Sequence, residues 1–297
     1  MQNILIIKTG AAGDVVRTTS LLNILKGNIY WIVDEKNKLI FPDDFPGLQV
    51  LTPADFENSH LRNIEFDLVL SLEEEERCAL LASMVSAKKL IGVHFNHDGL
   101  TYTAQSSSWY DMSLISQKGK VAANALKKSN PFPFQHWLFN MTGNLFSNQP
   151  YAIYRNRGIR KIDGLVGIES RVGQTWPNKQ WVGYESLEKE ITALGYHVKY
   201  FRQRENIRDY FDDIASCSCI ISGDSLPMHV ALAYKIPCIA IFNCTPPSEI
   251  HDYGILNKVV SPLLQSNLYS RTYKEEVVNS VSVEQVLNTF KKLALPK

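Results

Sequence analysis

The first residues with the potential for chemistry follow the first apolar run of the chain. Residues 4–7 lead into a loop of small residues, where Gly10 and Gly13 allow a substrate to approach the backbone closely. Asp14 closes the loop at the start of a helical pattern, where free N–H groups and the helix dipole favour an anion. A carboxylate here can act as a general base on a hydroxyl or cap the helix, and the local pattern favours neither. A P-loop and a dinucleotide fingerprint are both disfavoured, because no Gly-Lys-Ser/Thr follows and Gly-x-Gly-x-x-Gly is incomplete.

A second carboxylate follows an apolar run in the C-terminal half. Asp224 stands between a strand pattern and a helical pattern that has Pro227 near its start, a favoured position for proline. An ionised carboxylate only accepts hydrogen bonds, which suits the hydroxyl of a ribose or a sugar. The alternative is a second helix cap, with His229 packed in the first turn for structural reasons alone.

A third site is the turn at residues 242–248. A strand pattern ends here in a Thr- and Pro-rich sequence, which can offer backbone amides and the Thr245 hydroxyl to a phosphate. The alternative is an ordinary surface turn.

A fourth site is the loop at residues 169–181, between a strand pattern and a helical pattern. Its Arg171 and Lys179 are suited to a diphosphate. The alternative is a solvated loop, with Trp176 and Trp181 packed at the edge of a domain.

Apolar runs and helical patterns alternate along both halves of the chain. A length of 297 residues corresponds to about two domains. Strands that alternate with helices predict an α/β protein with two doubly wound, Rossmann-like domains that face a central cleft. The predicted strands are 4–7, 29–33, 67–71, 90–93, 163–168, 197–201, 219–222 and 237–242, and the predicted helices are 15–25, 73–86, 120–128, 134–145, 181–194, 207–216, 227–234 and 283–293.

The domain boundaries follow from the same alternation. We predict an N-terminal domain at 1–150, a C-terminal domain at 151–281, and a final helical segment at 282–297 that packs back on the N-terminal domain. Residues 94–119 interrupt the alternation, because they are rich in Ser, Thr, Asn, Gly and Tyr and have no period. A loop of this length inside a domain is typical of a functional or a disordered segment.

The composition is that of a globular protein without a strong field. The formal net charge is +1, so no global attraction to nucleic acid is expected, and no apolar run reaches the ~20 residues of a membrane span. The N-terminus resembles a first strand more than a signal peptide. The cysteines have no metal-ligand spacing and are expected to be reduced thiols in a cytoplasmic protein: Cys78, Cys217, Cys219, Cys238 and Cys244.

Taken in order, these sites resemble the family 9 glycosyltransferases, the heptosyltransferases of lipopolysaccharide biosynthesis. The similarity covers nearly the whole chain. The segments that carry it are ILIIKTGAAGDVVRTTSLLNILK, NPFPFQHWLFNMTG, GQTWPNKQWVGYESL and SGDSLPMHVALAYKIPCIAIFNCTPP followed by YG.

The resemblance implies a GT-B fold and an inverting, metal-independent transfer of a sugar from a nucleoside-diphosphate sugar, usually ADP-heptose, without a cofactor. It also implies that the N-terminal domain holds the acceptor and the C-terminal domain the donor. Asp14 matches the general base of the family and Asp224 the contact to the donor sugar. The predicted donor-binding residues are Gly13, Arg171, Thr175, Trp176, Lys179, Asp224, Ser225, Met228, His229 and Thr245, and the predicted acceptor or phosphate contacts are Lys8, Gly10 and Arg17.

Two departures from the family pattern concern the diphosphate. Gln174 and Thr175 stand where relatives have a basic residue before the Trp-Pro pair, and Asn-Cys stands before Thr245 in place of Gly-Pro. The candidate replacements for the missing cation are Arg171 and Lys179 from the same domain, or Lys8 and Arg17 from the other.

These departures leave alternatives open. The donor can be another nucleotide sugar used by a transferase of the same fold, or the chain can bind a nucleotide sugar without turnover. A dehydrogenase is disfavoured by the incomplete glycine pattern. The acceptor can be a saccharide, lipid-linked, protein or small-molecule hydroxyl, and residues 94–119 are expected to shape its pocket. Membrane contact is expected to be at most peripheral.

Overall fold

The computed structural model describes residues 1–296, which divide into two compact units. The first unit spans Met1–Tyr154 and the second begins at Arg155, slightly later than predicted. The later boundary has a local cause, because the backbone N–H of Ala152 donates to the Thr19 hydroxyl at 3.0 Å and so keeps this segment with the first unit.

The first unit is an α/β structure. Its strands are β1 (Asn3–Ile7), β2 (Asn28–Ile32), β3 (Leu48–Leu51), β4 (Glu65–Phe66), β5 (Leu68–Ser71), β6 (Ser86–Ala87), β7 (Leu90–Asn96) and β8 (Gly99–Tyr102). Its α-helices are α1 (Ala12–Thr18), α2 (Pro53–Glu57), α3 (Glu76–Met84), α4 (Ser107–Tyr110), α5 (Lys120–Ser129) and α6 (Phe134–Met141).

Six of these strands form one sheet in the order β3-β2-β1-β5-β7-β8. All neighbours are parallel except β7 and β8, which form an antiparallel hairpin. The chain proceeds outward from β1 to β3 and then continues on the other side of β1 through β5 and β7. The carboxyl ends of β1 and β5 therefore enclose the topological switch point, where sheets of this kind bind ligands.

The apolar runs form strands because both faces of the sheet are covered. Ile4, Leu5, Ile6 and Ile7 are all buried in β1, as expected for a central parallel strand. One face packs in a core that includes Leu5 and Ile7 from β1. Other members of this core are Phe56, Phe66, Val69, Cys78 and Ala82.

Three helices of the first unit differ from their predicted bounds by more than one residue. The helix predicted at 134–145 is α6, which ends at Met141. The helix predicted at 15–25 is α1, which begins earlier and is continued after Thr18 by a 3-10 helix at Thr19–Asn23. The helix predicted at 73–86 begins only at Glu76, so Glu73 lies in the loop after β5. The predicted acidic first turn is confirmed for Glu76 alone, because the rest of the acidic run precedes the helix.

The segment at 94–119 is more regular than predicted. β7 continues to Asn96 and β8 pairs with it, after which the short helix α4 follows. Tyr102 and Tyr110 from this segment are buried and pack with Val93. The prediction of a loop was wrong at β8. The sequence of this edge strand, Gly-Leu-Thr-Tyr, has no apolar run that marks it as a strand, and its pairing with β7 stabilises it.

The second unit is also α/β. Its strands are β9 (Leu165–Glu169), β10 (His197–Tyr200), β11 (Cys219–Gly223), β12 (Cys238–Phe242) and β13 (Leu256–Val260). Its α-helices are α7 (Tyr184–Ala193), α8 (Ile207–Ala215), α9 (Leu226–Tyr234), α10 (Leu264–Asn267), α11 (Glu275–Val278) and α12 (Val283–Lys291). The strands form one parallel sheet in the order β10-β9-β11-β12-β13. Its switch point lies between the carboxyl ends of β9 and β11.

The final helix belongs to the second unit. Val286, Leu287 and Phe290 of α12 are buried in the core formed by α7 and the second sheet. The helix begins with a capping box, in which Ser282 and Gln285 bond each other's backbone N–H. The apolar side of this helix packs within the second unit. The predicted packing of this segment on the N-terminal domain stays a prediction. Lys297 lies outside the described residues.

Candidate functional site

Asp14 lies in the first turn of α1, at the carboxyl end of β1. The N-cap of α1 is Ala11, which has a positive φ of 33° and makes no side-chain capping bond. Asp14 is therefore not the helix cap that the local pattern allowed. Its carboxylate pairs with Arg17 at 2.8 Å, and 37% of its side chain is exposed. The Arg17 guanidinium in turn lies 3.9 Å from the centre of the Phe134 ring.

The loop before Asp14 is held by a residue that sequence reasoning missed. Glu73 follows β5, and its Oε1 accepts hydrogen bonds from the Lys8 ammonium at 2.9 Å and from the backbone N–H of Thr9 and Gly10 at 2.9 and 2.8 Å. Lys8 and Glu73 are both buried. Lys8 and Gly10 were predicted to contact a phosphate or an acceptor. The single N–H of Gly10 is already bonded to Glu73, whereas the Lys8 ammonium has three donors and lines the cavity described below. The signal that could have identified Glu73 was its place directly after a buried strand.

A cavity of about 430 Å³ opens at this switch point of the first sheet. Asp14, Arg17 and Glu73 line it together with Glu74, whose pKa is raised by burial against the opposing effects of the Ser113 hydroxyl and Lys127. The apolar part of the lining is Leu72, Trp109, Tyr110, Leu114, Ile115 and Phe134. Carboxylates that accept from hydroxyls, beside aromatic rings, suit a polyhydroxylated ligand.

Asp224 lies at the switch point of the second sheet, directly after β11. The helix cap of α9 is Ser225, so Asp224 is not a cap either. The Lys179 ammonium donates to the Asp224 carboxylate at 2.9 Å and to its backbone carbonyl at 2.7 Å. Burial alone would raise the pKa of Asp224, but Lys179, with His229 and Thr245, holds it well below its usual value. A Cβ on Gly223 would lie 3.0 Å from the Lys179 carbonyl, so the glycine allows the end of β11 to lie close to the loop that carries Lys179.

Arg171 follows β9 and is held by a buried carboxylate. Its Nε and Nη2 donate to Glu169 at 2.9 and 2.6 Å, a bidentate arrangement, and the Tyr210 hydroxyl donates to the same carboxylate at 2.8 Å. Burial and the adjacent Glu169 raise the pKa of Tyr210 well above its usual value. Arg171 was a candidate for the missing diphosphate cation, but two of its donor groups are committed to Glu169.

A second cation lies beside Trp176 and was not predicted. The Arg271 guanidinium carbon is 5.0 Å from the centre of the Trp176 ring, and the Lys179 ammonium is 5.9 Å from it. Such distances allow a cation–π interaction. Arg271 lies in an irregular segment, so neither a hydrophobic periodicity nor a sequence motif identified it as a site residue.

The segment that carries Arg271 is fixed by Asn178. The Asn178 side chain is buried, donates to the Thr272 carbonyl at 2.7 Å, and accepts from the Lys274 N–H at 2.9 Å. The backbone N–H of Tyr269 donates to the Cys244 carbonyl at 2.8 Å. The loops at 169–181 and 242–248 are therefore tied to one segment, which places Arg271 beside Trp176.

The other predicted site residues occupy varied environments. Met228, His229 and Thr245 are buried, Ser225 is half-buried, and Thr175 is exposed. Gly13 lies in α1 of the first unit beside Asp14. The structure thus brings Asp224, Lys179, Trp176 and Arg271 together at one end of the second sheet, while Arg171 is held separately by Glu169.

The five cysteines are buried and free, as predicted. Burial raises the pKa of Cys217 and Cys244 to about 11. Within residues 1–296, no group of three or more His, Cys, Asp or Glu side chains is arranged to hold a metal ion. No helix of the described chain has the length and apolar character needed to cross a membrane.

Residues 204–279 match the family model described as glycosyltransferase family 9 (heptosyltransferase). The matched segment includes Asp224, His229, Thr245 and Arg271. No curated protein sequence matches the chain. The resemblance predicted from the sequence is confirmed by this match, which covers the middle of the C-terminal half.

The chain is also similar to solved glycosyltransferase structures along nearly its whole length. The glycosyl transferase family 9 structure from Veillonella parvula has a TM-score of 0.65 and 19% identity, and covers 98% of this chain and 97% of that chain. The E. coli ADP-heptose lps heptosyltransferase II has a TM-score of 0.65 and 15% identity, with 98% of both chains covered. E. coli heptosyltransferase WaaC with ADP-2-deoxy-2-fluoro heptose has a TM-score of 0.60 and 14% identity, covering 98% of this chain and 100% of that chain. At this identity the likeness establishes the fold, and the predicted GT-B fold class is confirmed.

The fold and the family match together support the predicted class of protein, a glycosyltransferase. The matching family model is described as heptosyltransferase, and two of the similar solved structures are heptosyltransferases of E. coli.

Proposed function

We propose that the protein transfers a sugar, with inversion and without a metal ion, from a nucleoside-diphosphate sugar to an acceptor hydroxyl. The observation that carries this proposal is the carboxylate of Asp14, half-exposed in the cavity at the switch point of the first sheet. The match of residues 204–279 to the family model supports the same reaction class.

In this mechanism the acceptor binds in the cavity of the first unit. Trp109 and Phe134 would pack on the apolar faces of the sugar, while Glu73 and Glu74 accept from its hydroxyls. Asp14 removes the proton of the attacking hydroxyl as its oxygen bonds to the anomeric carbon of the donor. The bond from that carbon to the nucleoside diphosphate breaks, and the diphosphate leaves with the electron pair. General-base assistance of this kind contributes about 10²–10⁴-fold.

The donor would bind at the carboxyl end of the second sheet. The leaving diphosphate gains negative charge, which cations and helix N-termini stabilise. Arg271 beside Trp176 provides a positive charge in place of the basic residue missing at Gln174. Lys179 lies beside the same ring, but its charge is balanced by the Asp224 carboxylate. Asp224 is held ionised beside Lys179 and would accept from a donor hydroxyl.

ADP-heptose is the first candidate for the donor. The support is that solved structures of similar fold are described with ADP-heptose or its 2-fluoro analogue. A nucleotide-sugar donor and reduced cysteines fit a cytoplasmic enzyme of lipopolysaccharide biosynthesis, with a saccharide or a lipid-linked saccharide as acceptor.

The decisive test of the base is the variant Asp14→Asn. We expect it to fold and bind donor as the wild type does and to lose about 10²–10⁴-fold in transfer, measured as released nucleoside diphosphate. The matched control is Asp98→Asn, since Asp98 is an exposed carboxylate of the same unit outside the cavity. Near wild-type turnover of Asp14→Asn would exclude Asp14 as the base.

The donor class is tested by thermal unfolding with ADP, GDP, UDP and NAD, because a ligand that binds only the native state raises the midpoint. ADP is expected to give the largest shift. A larger shift with GDP or UDP would replace ADP-heptose by another nucleotide sugar. Binding of a nucleotide sugar without any product would favour the alternative of a binding protein without turnover.

A further inference from the structure

Charge is unevenly distributed along the chain. From Met112 to Ile162 the sequence contains no Asp or Glu, although the whole chain has nearly equal numbers of acidic and basic residues. Lys118, Lys120, Lys127 and Lys128 are concentrated at the start of this stretch, in and beside α5. Lys118 lies 3.4 Å from Asp111, which is the acidic residue that borders the stretch.

The helix α5 is mostly exposed. Ala123 is its only buried residue, and 86% of Val121 is exposed. Val121, Ala125 and Lys128 follow one another at intervals of four and three residues, so they share the face opposite Ala123. An apolar side chain and an ammonium group therefore point away from the protein together.

Exposed apolar residues also border the helix. Leu114 before α5 is 86% exposed, and Leu126 within it and Phe132 after it are exposed as well. We call the set of exposed residues in and beside this helix the α5 surface; its members are Leu114, Lys120, Val121, Leu126, Lys128 and Phe132. Single exposed apolar residues are ordinary, but apolar side chains interspersed with lysines in a stretch without carboxylates are not.

We propose that the α5 surface docks the protein on an anionic lipid bilayer. The lysines are complementary in charge to anionic headgroups, and the stretch from Met112 to Ile162 contains no carboxylate of its own. The neighbouring carboxylates Asp111 and Glu74 are countered by Lys118 and Lys127, which are not members of the α5 surface. Val121 and Leu114 would enter the boundary between headgroups and acyl chains, while the lysines extend to the phosphates. A convex helix with separate apolar side chains suits a fluid headgroup layer better than a protein partner, which requires a continuous complementary surface.

Docking of this surface has a consequence for the acceptor. Leu114 belongs both to the α5 surface and to the lining of the cavity that contains Asp14. A bilayer held at the α5 surface would therefore lie beside the cavity, where the hydroxyl of a membrane-anchored saccharide can enter. This consequence rests on the proposed function, whereas the docking itself does not.

The experiment is flotation of the full chain with lipid vesicles. One set contains phosphatidylcholine and phosphatidylglycerol in equal parts, and the other contains phosphatidylcholine alone. We expect the wild type to float with the first set only, and to be released by high salt because the attraction is electrostatic. The double variant Lys120→Gln/Lys128→Gln is expected to lower the partition coefficient about tenfold or more. Val121→Ser is expected to lower it about tenfold.

The matched control is Lys291→Gln/Lys292→Gln, which removes the same charge from exposed lysines at the end of α12. It is expected to float as the wild type does. The proposal is overturned if the wild type does not float with anionic vesicles, or if both double variants lose binding equally. Flotation does not depend on transfer, so an active protein that stays unbound refutes docking alone, and a bound but inactive protein refutes the proposed function alone.

Discussion

Glu73 is predicted to hold the loop that carries Asp14, and the variant Glu73→Gln tests this. The Oε1 atom accepts from the Lys8 ammonium and from two backbone N–H groups, all between 2.8 and 2.9 Å. Glutamine keeps the shape but removes the charge, so the buried Lys8 loses its counter-ion. Breaking a buried ion pair from one side costs about 3–5 kcal/mol. We expect about 3 kcal/mol, because the amide oxygen of glutamine can still accept from the backbone.

A double-variant cycle separates this pair from other effects. Lys8→Met alone leaves Glu73 without its cation, and Lys8→Met/Glu73→Gln removes both charges. The double variant should therefore lose less than the sum of the single variants, by about 1–3 kcal/mol. The measurement is urea unfolding followed by circular dichroism. Hydrogen exchange of the loop at 8–14 should become faster in Glu73→Gln, because two of its N–H groups lose a charged acceptor.

The control for this prediction is Glu75→Gln. Glu75 is two residues away and pairs with Arg77 at 2.9 Å, but both side chains are about half exposed, so the loss should stay below about 1 kcal/mol. If Glu73→Gln costs no more than Glu75→Gln and leaves hydrogen exchange of the loop unchanged, Glu73 does not hold the loop.

Three further predictions concern the second unit and the reaction. Asp224→Asn should lower the unfolding free energy by about 3 kcal/mol near pH 7, since Lys179 loses its counter-ion. Lys179 depresses the folded-state pKa of Asp224, although burial opposes this, so the stabilisation is present above the unfolded pKa of about 4 and lost below it. Urea unfolding should give a constant difference in unfolding free energy between wild type and variant from about pH 7 to about pH 5. A decline of that difference within this range would contradict the lowered pKa of Asp224. Arg271→Gln should weaken ADP binding about tenfold in calorimetry and leave adenosine binding unchanged. The control is Arg202→Gln, which removes an exposed arginine of the same unit. Equal losses of ADP binding in both variants would show that Arg271 does not contact the diphosphate. Transfer should continue in EDTA, and strict dependence on added Mg²⁺ or Mn²⁺ would exclude the metal-independent mechanism.

Most of the fold could be predicted because its signals are local. A parallel strand buried on both faces is a continuous apolar run, and each of the eight predicted strands overlaps an observed one. The strands that were missed lack that signal. β8 is an antiparallel edge strand that pairs only with β7. β13 at Leu256–Val260 lies at the edge of the second sheet, and its apolar residues are interrupted by Asn257 and Lys258. For such strands, pairing and not composition decides the structure.

The candidate site divides in the same way. Asp14 and Asp224 could be identified because each lies where a strand pattern gives way to a helical pattern. Arg271 could not, since it lies in an irregular segment that Asn178 fixes from more than ninety positions away in the sequence.

The sequence by itself determined two parallel α/β units with a carboxylate after a central strand of each. It could not distinguish a helix cap from a free or paired carboxylate, because each alternative satisfies the same local pattern. The pair of Asp14 with Arg17 is local, since the two residues lie one turn apart in α1. Only the tertiary structure decided that Asp224 pairs with Lys179 and that Glu73 occupies the anion site at Lys8–Gly10. The physical reason is that β1 and β5 are adjacent in the sheet, so residues after them meet although they are distant in the chain.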